Sequence, residues 1–493
     1  MITSKERVSY GLFFAGQNLI YLFVMNYLQN YFTDVMGITA GAVALIIVAA
    51  RVWDAANDPM FGAIVDRSRL PSGRFKPWLK LSSFLVPAFT VLLFCVPVSW
   101  PLNVKTGVCA ALYILWGMAY TICDVPANSL SAAMTSDLQE RTALIARGRL
   151  HSVLGIMAAM VLTVPLVSLF TRLWGNLSNP SNPSNPSNPP NPFMAWLSVS
   201  AVVAISGFLL IRGLSSNAVE RFVDPDSQPP KLLDIFSSVK SNSQLLAFFG
   251  SLVLANATNT TTVLPLYFAN VNLGDSGKYM LLVISTMAGA PLVSIFASRL
   301  VKVFDKLAIF LFGLALMVAT SIAIYITGYE GSRFALFLIL SAIRGIGASC
   351  STVMSYMFAA DCVEYGAYSS ARRTEGITFS IQTFTTKITG AMSGFIAMGL
   401  LGWRFGYRSA EYVNGVLVTP EQPVEAAKGI WILISIFPAL GATLAIFALL
   451  KFYKLRDKDV QVMANVNSKR MSRAEGEAML AENRKKGGLR LWN

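Results

Sequence analysis

Charge is scarce in this chain. Only 13% of its 493 residues are Asp, Glu, Lys or Arg, about half the ~25% of an ordinary soluble protein. A soluble chain of this length would divide into domains with charged surfaces, and the shortage excludes that class. Histidine is reduced to a single residue, His151. It stands at the edge of an apolar run, where a structural role is a plainer reading than a proton relay. The chain also lacks a glycine-rich phosphate loop, a metal-ligand spacing and a nucleophile–base pair. It is therefore not expected to be an enzyme or to need a cofactor. The five cysteines (Cys95, Cys109, Cys123, Cys350, Cys362) are odd in number and lie in or beside apolar runs. They read as reduced packing residues rather than a disulfide framework. A cleavable leader is not expected either: residues 1–9 are polar and the apolar run behind them is too long for a signal sequence, so that run is expected to remain as a first span.

Apolar residues fill the gap, at 54% of the chain, and they come in runs of the length a bilayer demands of a helix. Twelve such runs are predicted: Tyr10–Phe32, Gly41–Val65, Trp78–Ser99, Thr106–Met134, Ser152–Phe170, Met194–Ile211, Leu245–Phe268, Tyr279–Ala297, Leu307–Thr327, Phe334–Ala360, Ile377–Leu401 and Ile430–Leu450. The formal net charge of +14 would suit a nucleic-acid partner, but the basic residues sit in short loops and in the tail. About 30 of the Lys and Arg fall on the side that holds both termini and about 7 on the other. That asymmetry predicts cytoplasmic termini in a bacterial-type inner membrane, with the bilayer and not nucleic acid as partner. The polar stretch Arg212–Leu245 divides the runs into two sets of six. The expected organisation is an N-terminal bundle over 1–213, a central loop over 214–244, a C-terminal bundle over 245–450 and a basic tail over 451–493. Ser178–Pro192 reads SNPSNPSNPSNPPNP, a helix-incompatible spacer between spans five and six. The tail carries eleven Lys or Arg and reads as a solvated anchor beside anionic lipid, with a short surface helix over Ser472–Asn483.

Carboxylates inside spans cost about 2.5–3.5 kcal/mol on the insertion scale and mark ion or substrate paths. Asp54, Asp58 and Asp124 are placed this way. Asp54 and Asp58 share a face at i and i+4, with Asn57 beside them. Two carboxylates so close repel unless a cation or a shared proton intervenes. Arg51, at i−3 from Asp54, offers the simpler alternative of neutralising that residue, and leaves Asp58 unexplained. Asp124 precedes Pro126, expected to disturb its helix and free backbone carbonyls, and Asn128 follows one turn on. Lys387 stands deep within a span; it is read as facing the cavity and pairing with an acid across the halves, or as snorkelling to the interface. Arg149 opens span five and reaches either a substrate or lipid headgroups. Span seven holds Asn256, Thr258, Asn259, Thr260, Thr261 and Thr262, the composition of a hydrated wall.

These residues carry a resemblance. The stretch Arg51-Val-Trp-Asp54-Ala-Ala-Asn57-Asp58-Pro59-Met-Phe-Gly62-Ala-Ile-Val-Asp66-Arg67, followed by Gly73-Arg74-Phe-Lys-Pro-Trp78, resembles the glycoside–pentoside–hexuronide:cation symporters, the melibiose permease-like family of the major facilitator superfamily. Tyr31-Phe-Thr-Asp34-Val, Asp124-Val-Pro126, Asp361-Cys-Val-Glu364-Tyr365 and Arg373-Thr-Glu375-Gly376 with Lys387 agree with it. The resemblance implies an all-α membrane protein with a major facilitator fold, about 12 transmembrane helices in two six-helix bundles, and alternating access. It implies a monovalent cation (Na+, Li+ or H+) on Asp54, Asn57, Asp58 and Thr121 with Asp124 close by, Asp54 and Asp58 being the metal ligands. It implies substrate contacts at Asn18, Asp124, Asn128, Arg149, Gln382 and Lys387, and a gate at Gly62, Asp66, Arg67 and Arg74. Two positions depart from melibiose-transporting members: Asn18 stands for an aspartate in span one and Asn128 for a tryptophan in span four. A cation-coupled sugar importer working as a monomer is the expectation. A cation-coupled lysolipid carrier, a transport-inactive sugar sensor and an efflux pump are its rivals.

Overall fold

The computed structural model describes residues 2–485 apart from 69, 136–137, 179–191, 222–241, 371–374, 414–415 and 468. The Ser-Asn-Pro run and most of the central connection therefore lie outside the described residues. The all-α fold class expected from the sequence is the one found. The long helices are α1 (Ser4–Asp34), α2 (Ala40–Arg67), α3 (Lys76–Leu93), α4 (Leu102–Met134), α5 (Leu138–Ser178) and α6 (Pro192–Asn217). After them come α7 (Ser243–Ala257), α8 (Tyr279–Met287), α9 (Gly289–Val303), α10 (Lys306–Thr327), α11 (Arg333–Ser370) and α12 (Glu375–Gly399). A short hairpin of β1 (Glu411–Val413) and β2 (Val416–Val418) precedes α13 (Val424–Ser435), α14 (Phe437–Phe452), α15 (Asp457–Asn467) and α16 (Arg473–Lys485).

Among the described residues eight helices are long and apolar enough to cross a membrane. The other expected spans fall short for visible reasons. The second carries Arg51, Asp54 and Asp58; the third opens on Lys76 and Lys80. The seventh and eighth are interrupted, at Thr258–Leu264 and at Ala288. Pro126 does not break its helix: α4 runs through it to Met134. The proline removes the main-chain donor that would meet Ile122 O, and on the following turn Asn128 and Ser129 turn their side chains onto the carbonyls of Asp124 and Val125.

The chain forms two compact units. The first comprises 1–229 with 269–280 and 398–426; the second comprises 230–268, 281–397 and 427–493. In the first, α1 packs against α5 and α6, α3 against α4 and α6, and α2 against α4. A capping box starts α1: Glu6 N donates to Thr3 Oγ1 at 3.3 Å and Thr3 N to the Glu6 carboxylate at 2.7 Å. Near its other end Tyr31 lies 4.6 Å from Phe94, which stacks on Trp196 at 6.1 Å. There Asp34 accepts from Asn30 Nδ2 (2.6 Å), Thr33 Oγ1 (2.8 Å) and Tyr407 OH (2.8 Å), while Ala410 N donates to Thr33 O at 3.0 Å.

The opposite end of this unit is tied by three carboxylates. Glu6, itself buried, takes a two-pronged ion pair from Arg221 at 2.8 and 3.0 Å. Glu140 accepts from Ile2 N, Thr135 and Arg7. The Ile2 amide, with those two side chains, holds its carboxyl below the usual carboxylate range. Glu220 receives the main-chain N–H groups of Arg74, Phe75 and Lys76 at 2.7, 2.9 and 2.8 Å. These are the orphan donors at the start of α3, and a carboxylate there also suits the helix dipole.

In the second unit Phe248 stacks on Phe358 at 4.8 Å and meets Phe310 and Tyr453. Lys306 bridges Asp361 at 2.6 Å and Asp457 at 3.3 Å. Asp305 caps α10 by accepting from Leu307 N and also takes Asp457 N. The tail is not simply a solvated anchor. Its predicted helix is present as α16, and α15 precedes it. Val460, Val462, Met463 and Leu480 bury themselves in the core of this unit, and Arg473 lies 5.3 Å over the ring of Tyr368. The basic side chains face out because the apolar ones are spaced to face in. All five cysteines are free, four of them buried.

Gly73 has φ +118°, and a Cβ there would sit 2.7 Å from Glu220 Oε1. Gly73→Ala is expected to cost about 1–3 kcal/mol in backbone strain and to loosen the Glu220 cap. The check is a lowered thermal midpoint of the purified protein, whereas Gly274→Ala, a positive-φ turn with open space around it, should show the strain without the loss of the cap.

Candidate functional site

The candidate site is built on two parallel faces. On α2, Arg51, Asp54 and Asp58 follow at i, i+3 and i+7; on α4, Gly117, Thr121, Asp124 and Asn128 follow at i, i+4, i+7 and i+11. Both spacings return to one side of a helix, and α2 packs against α4. Asp54 approaches α4 at Gly117, where a Cβ would be 2.9 Å from Asp54 Oδ1. One turn on, Thr121 Oγ1 donates to Asp58 Oδ1 at 2.7 Å. Thr121 also bonds Gly117 O, so its hydroxyl is fixed between the two helices. Arg51 Nη1 lies 3.0 Å from Asp54 Oδ2, so the neutralising pair foreseen as an alternative is formed. Asn57 Nδ2 is buried and has no hydrogen-bond partner among the described residues.

Asp124 sits on the next turn of the α4 face. Gln17 Nε2, from α1, donates to its Oδ1 at 2.8 Å. Gln17 is 1% exposed, and its Oε1 has no partner among the described residues. Sequence reading named Asn18 instead. Asn18 turns the other way: its amide donates to Phe14 O at 2.9 Å and to Ser152 Oγ at 3.2 Å, joining α1 to α5. The physical reason is the ~100° step between neighbouring residues of a helix. The signal that finds Gln17 is its place four residues before Tyr21, which lines the same region.

An aromatic wall completes this side, and sequence reading missed it. Tyr21 lies 4.8 Å from Tyr120 and stacks on Trp116 at 6.2 Å; Trp116 in turn stacks on Tyr120 at 5.5 Å and on Tyr113 at 6.2 Å. The spacing 113, 116, 120 on α4 is the visible trace of it. Trp116 Nε1 is anchored to Thr90 Oγ1 at 3.0 Å, and the guanidinium of Arg51 reaches Met25 Sδ at 3.0 Å.

The other predicted residues are dispersed. Asn128 is exposed and donates to Asp124 O at 3.0 Å. Arg149 is exposed on α5, with no hydrogen bond to another described residue. Gln382 and Lys387 belong to α12, in the second unit. Gln382 is buried with Nε2 3.5 Å from Ser355 Oγ, and Lys387 is half-buried. Of the gate residues, Gly62 has open space beside its Cα. Arg74 directs Nε at Val65 O, 3.4 Å away, and stands 5.5 Å over the Phe75 ring. The side chains of Asp66 and Arg67 lie outside the described residues, as do Arg373 and Thr374.

Two carboxylates, a hydroxyl and an amide are hard oxygen donors, and that set suits a small monovalent cation better than a soft metal. Asp54, Asp58, Thr121 and Asn57 would hold it. Asp124, with Gln17, Asn128 and the tyrosine faces beside it, offers the mixed polar and flat surface that a polyhydroxylated ring uses.

Comparison with known proteins gives a consistent result. Residues 9–457 match the family model described as MFS/sugar transport protein. The chain is 27% identical to an uncharacterized symporter, YjmB, of Bacillus subtilis, over 95% of this chain and 96% of that one. It is 26% identical to the glucuronide carrier protein homolog of Escherichia coli over 92% of each. It is also 26% identical to the inner membrane symporter YicJ of Escherichia coli over 83% of each. In fold it is similar to the nucleoside transporter NupG, with TM-score 0.61, 12% identity, and coverage of 92% of this chain and 100% of that one. A bacterial homolog of the human lysosomal transporter Spinster aligns with TM-score 0.59 and 12% identity over 91% and 97%. These solved structures share the fold; the curated relatives are transporters.

Gly117→Ala puts a methyl group against Asp54 Oδ1. The expected result is a thermal midpoint that rises less when sodium replaces an inert cation, while the sodium-free midpoint changes little. An undiminished sodium response would remove Asp54 from the ion site.

Proposed function

The chain belongs to the MFS/sugar transport protein family, and from that premise we propose that it is a symporter that carries a sugar into the cytoplasm together with a monovalent cation. The coarser statement, a membrane transporter of the cation–glycoside symporter type, follows from the family. The finer one rests chiefly on the chain of contacts Asp54–Gly117, Asp58–Thr121 and Asp124–Gln17 along one face of α4.

Asp54, paired with Arg51, stands one helical turn from Asp58. A cation between the two acids offsets their repulsion and holds Asp58 against Thr121, whose hydroxyl already bridges α2 and α4. Thr121 and Asp124 are three residues apart on α4, so ordering one turn orders the next. Asp124, steadied by Gln17, then accepts sugar hydroxyls, and the tyrosine faces take the apolar face of the ring. Asn128 and Arg149 are further candidate sugar contacts in the first unit, and Gln382 and Lys387 are candidates by the resemblance alone. Coupling of about 1–3 kcal/mol between the two ligands is enough to make sugar binding cation-dependent. Return of the empty carrier requires the acids to be left unbridged, which disfavours uncoupled cycling. Both termini are cytoplasmic on the Lys/Arg asymmetry. Gly62, Asp66, Arg67 and Arg74 form a gate at that side, with Arg74 held by the Glu220 cap. The sugar reading is favoured over a lysolipid by the polar lining: Gln17, Asp124, Asn128 and three tyrosine rings.

The test is a thermal-stability screen of the purified protein against glycosides, pentosides and hexuronides. Each is tested with sodium, with an inert cation and at two pH values, alongside Asp58→Asn. A ligand at 100 times its Kd should add about 2.7 kcal/mol of stability. Stabilisation by one sugar that is stronger in sodium and absent in Asp58→Asn is expected. Dependence on pH but not sodium would make the proton the partner. A lysolipid response without any sugar response would overturn the substrate class, and sugar binding without uptake would make the protein a sensor.

A further inference from the structure

The second unit holds a buried cation of its own. Arg344, on α11 in the second unit, is 4% exposed. Its Nη1 donates to two main-chain carbonyls, Ile434 O at 2.8 Å and Ser435 O at 3.5 Å. No carboxylate is among its described partners. A guanidinium in a span is costly to insert and is retained where it serves a purpose.

The purpose is legible in the residues it meets. The last span is divided into α13 and α14 at Ile436. In an uninterrupted helix the N–H of residue 438 would donate to the carbonyl of Ile434. Residue 438 is proline and has no N–H. The next donor is displaced as well: Ala439 N bonds Ile436 O at 3.0 Å, the tighter i−3 pattern, instead of Ser435 O. The two carbonyls whose helical donors are missing are the two that Arg344 reaches. The carbonyl before them, Leu433 O, accepts from Thr260 Oγ1. Thr260 belongs to the irregular stretch after α7, and the carbonyl of its neighbour Asn259 accepts Ser393 Oγ, from α12, at 2.8 Å. The interruption in span twelve is thus joined to the break in span seven, where the polar residues Asn256, Asn259 and Thr261 cluster.

We propose that Arg344 is a positioning residue of the transport cycle: its guanidinium supplies the donor that Pro438 removes and holds the last span bent against the broken seventh span, which makes the bend a working hinge rather than a ligand contact. The hinge claim rests on the transporter reading given above; the donor-replacement claim does not. A helix kinked at proline keeps its freed carbonyls satisfied by a neighbour, and a neighbour that holds them by a side chain can let the angle change without breaking the main chain.

The test compares wild type, Arg344→Met, Pro438→Ala and the double variant, all as full-length protein. Arg344→Met should lower the thermal midpoint. Pro438→Ala restores an N–H to Ile434 O, so the double variant should lose much less from the methionine than the single one does. Additive losses would overturn the donor-replacement account. Spin labels at 423 and 452 should report a longer, narrower distance in Pro438→Ala and a broadened one in Arg344→Met; an unchanged distance in both would overturn the bend. In liposomes Pro438→Ala should keep its ligand Kd within about twofold while turnover falls about tenfold. Full turnover would leave Arg344 a packing residue and sink the hinge. Loss of binding in the double variant with stability kept would make Arg344 a ligand contact instead. Should no sugar be carried by wild type, the proposed function fails, and the stability and distance measurements still decide this one.

Discussion

Inside a bilayer a backbone carbonyl or a charged side chain cannot turn to water, and that constraint organises the whole molecule. At two departures from regular helix a particular side chain arrives to meet the main chain. Glu220 takes three amides at the start of α3. Arg344 and Thr260 take three carbonyls at the bend of the last span. The same rule governs the charges: Arg51 accompanies Asp54, and Thr121 accompanies Asp58. The candidate ion site is the place where the rule is left partly open, with two acids a turn apart and an amide nitrogen on Asn57 that has no partner among the described residues.

Two levels of the structure were unequally legible in the sequence. The helices were, because apolar length is a one-dimensional property: the tenth expected span, Phe334–Ala360, lies within Arg333–Ser370. Acids in such runs were also conspicuous, since almost nothing else there is charged. What failed was rotation about a helix axis. Asn18 and Gln17 are neighbours in sequence yet point to α5 and α4, and nothing local distinguishes them. Proline was a poor guide. Pro126 lies inside a continuous α4, whereas Pro438 follows the division of the last span at Ile436, where side-chain donors arrive from α11 and from the stretch after α7. The tail was misread for a related reason: eleven basic residues dominate its composition, while the few apolar ones that bury it are diluted among them.

The functional reading follows from adjacency along α4. On the proposed reading, Thr121 of the candidate ion site and Asp124 of the candidate sugar site stand on successive turns of α4, so binding at one need only still the other to be felt there. This is coupling by shared order, which requires no long pathway. The aromatic wall from Tyr21 to Tyr113 stiffens the same helix on its flank.

The bond between Asp34 and Tyr407 joins residues 373 positions apart. Its consequence concerns biogenesis. The first unit takes in 398–426, so a nascent chain that has threaded all six N-terminal helices has still not finished that unit. The second unit in turn buries Val460 and Leu480, residues made later still. Contacts of such separation form slowly and expose apolar surface in the interval. Neither unit is complete when its first helices are, and both are closed by segments that leave the ribosome long after those helices.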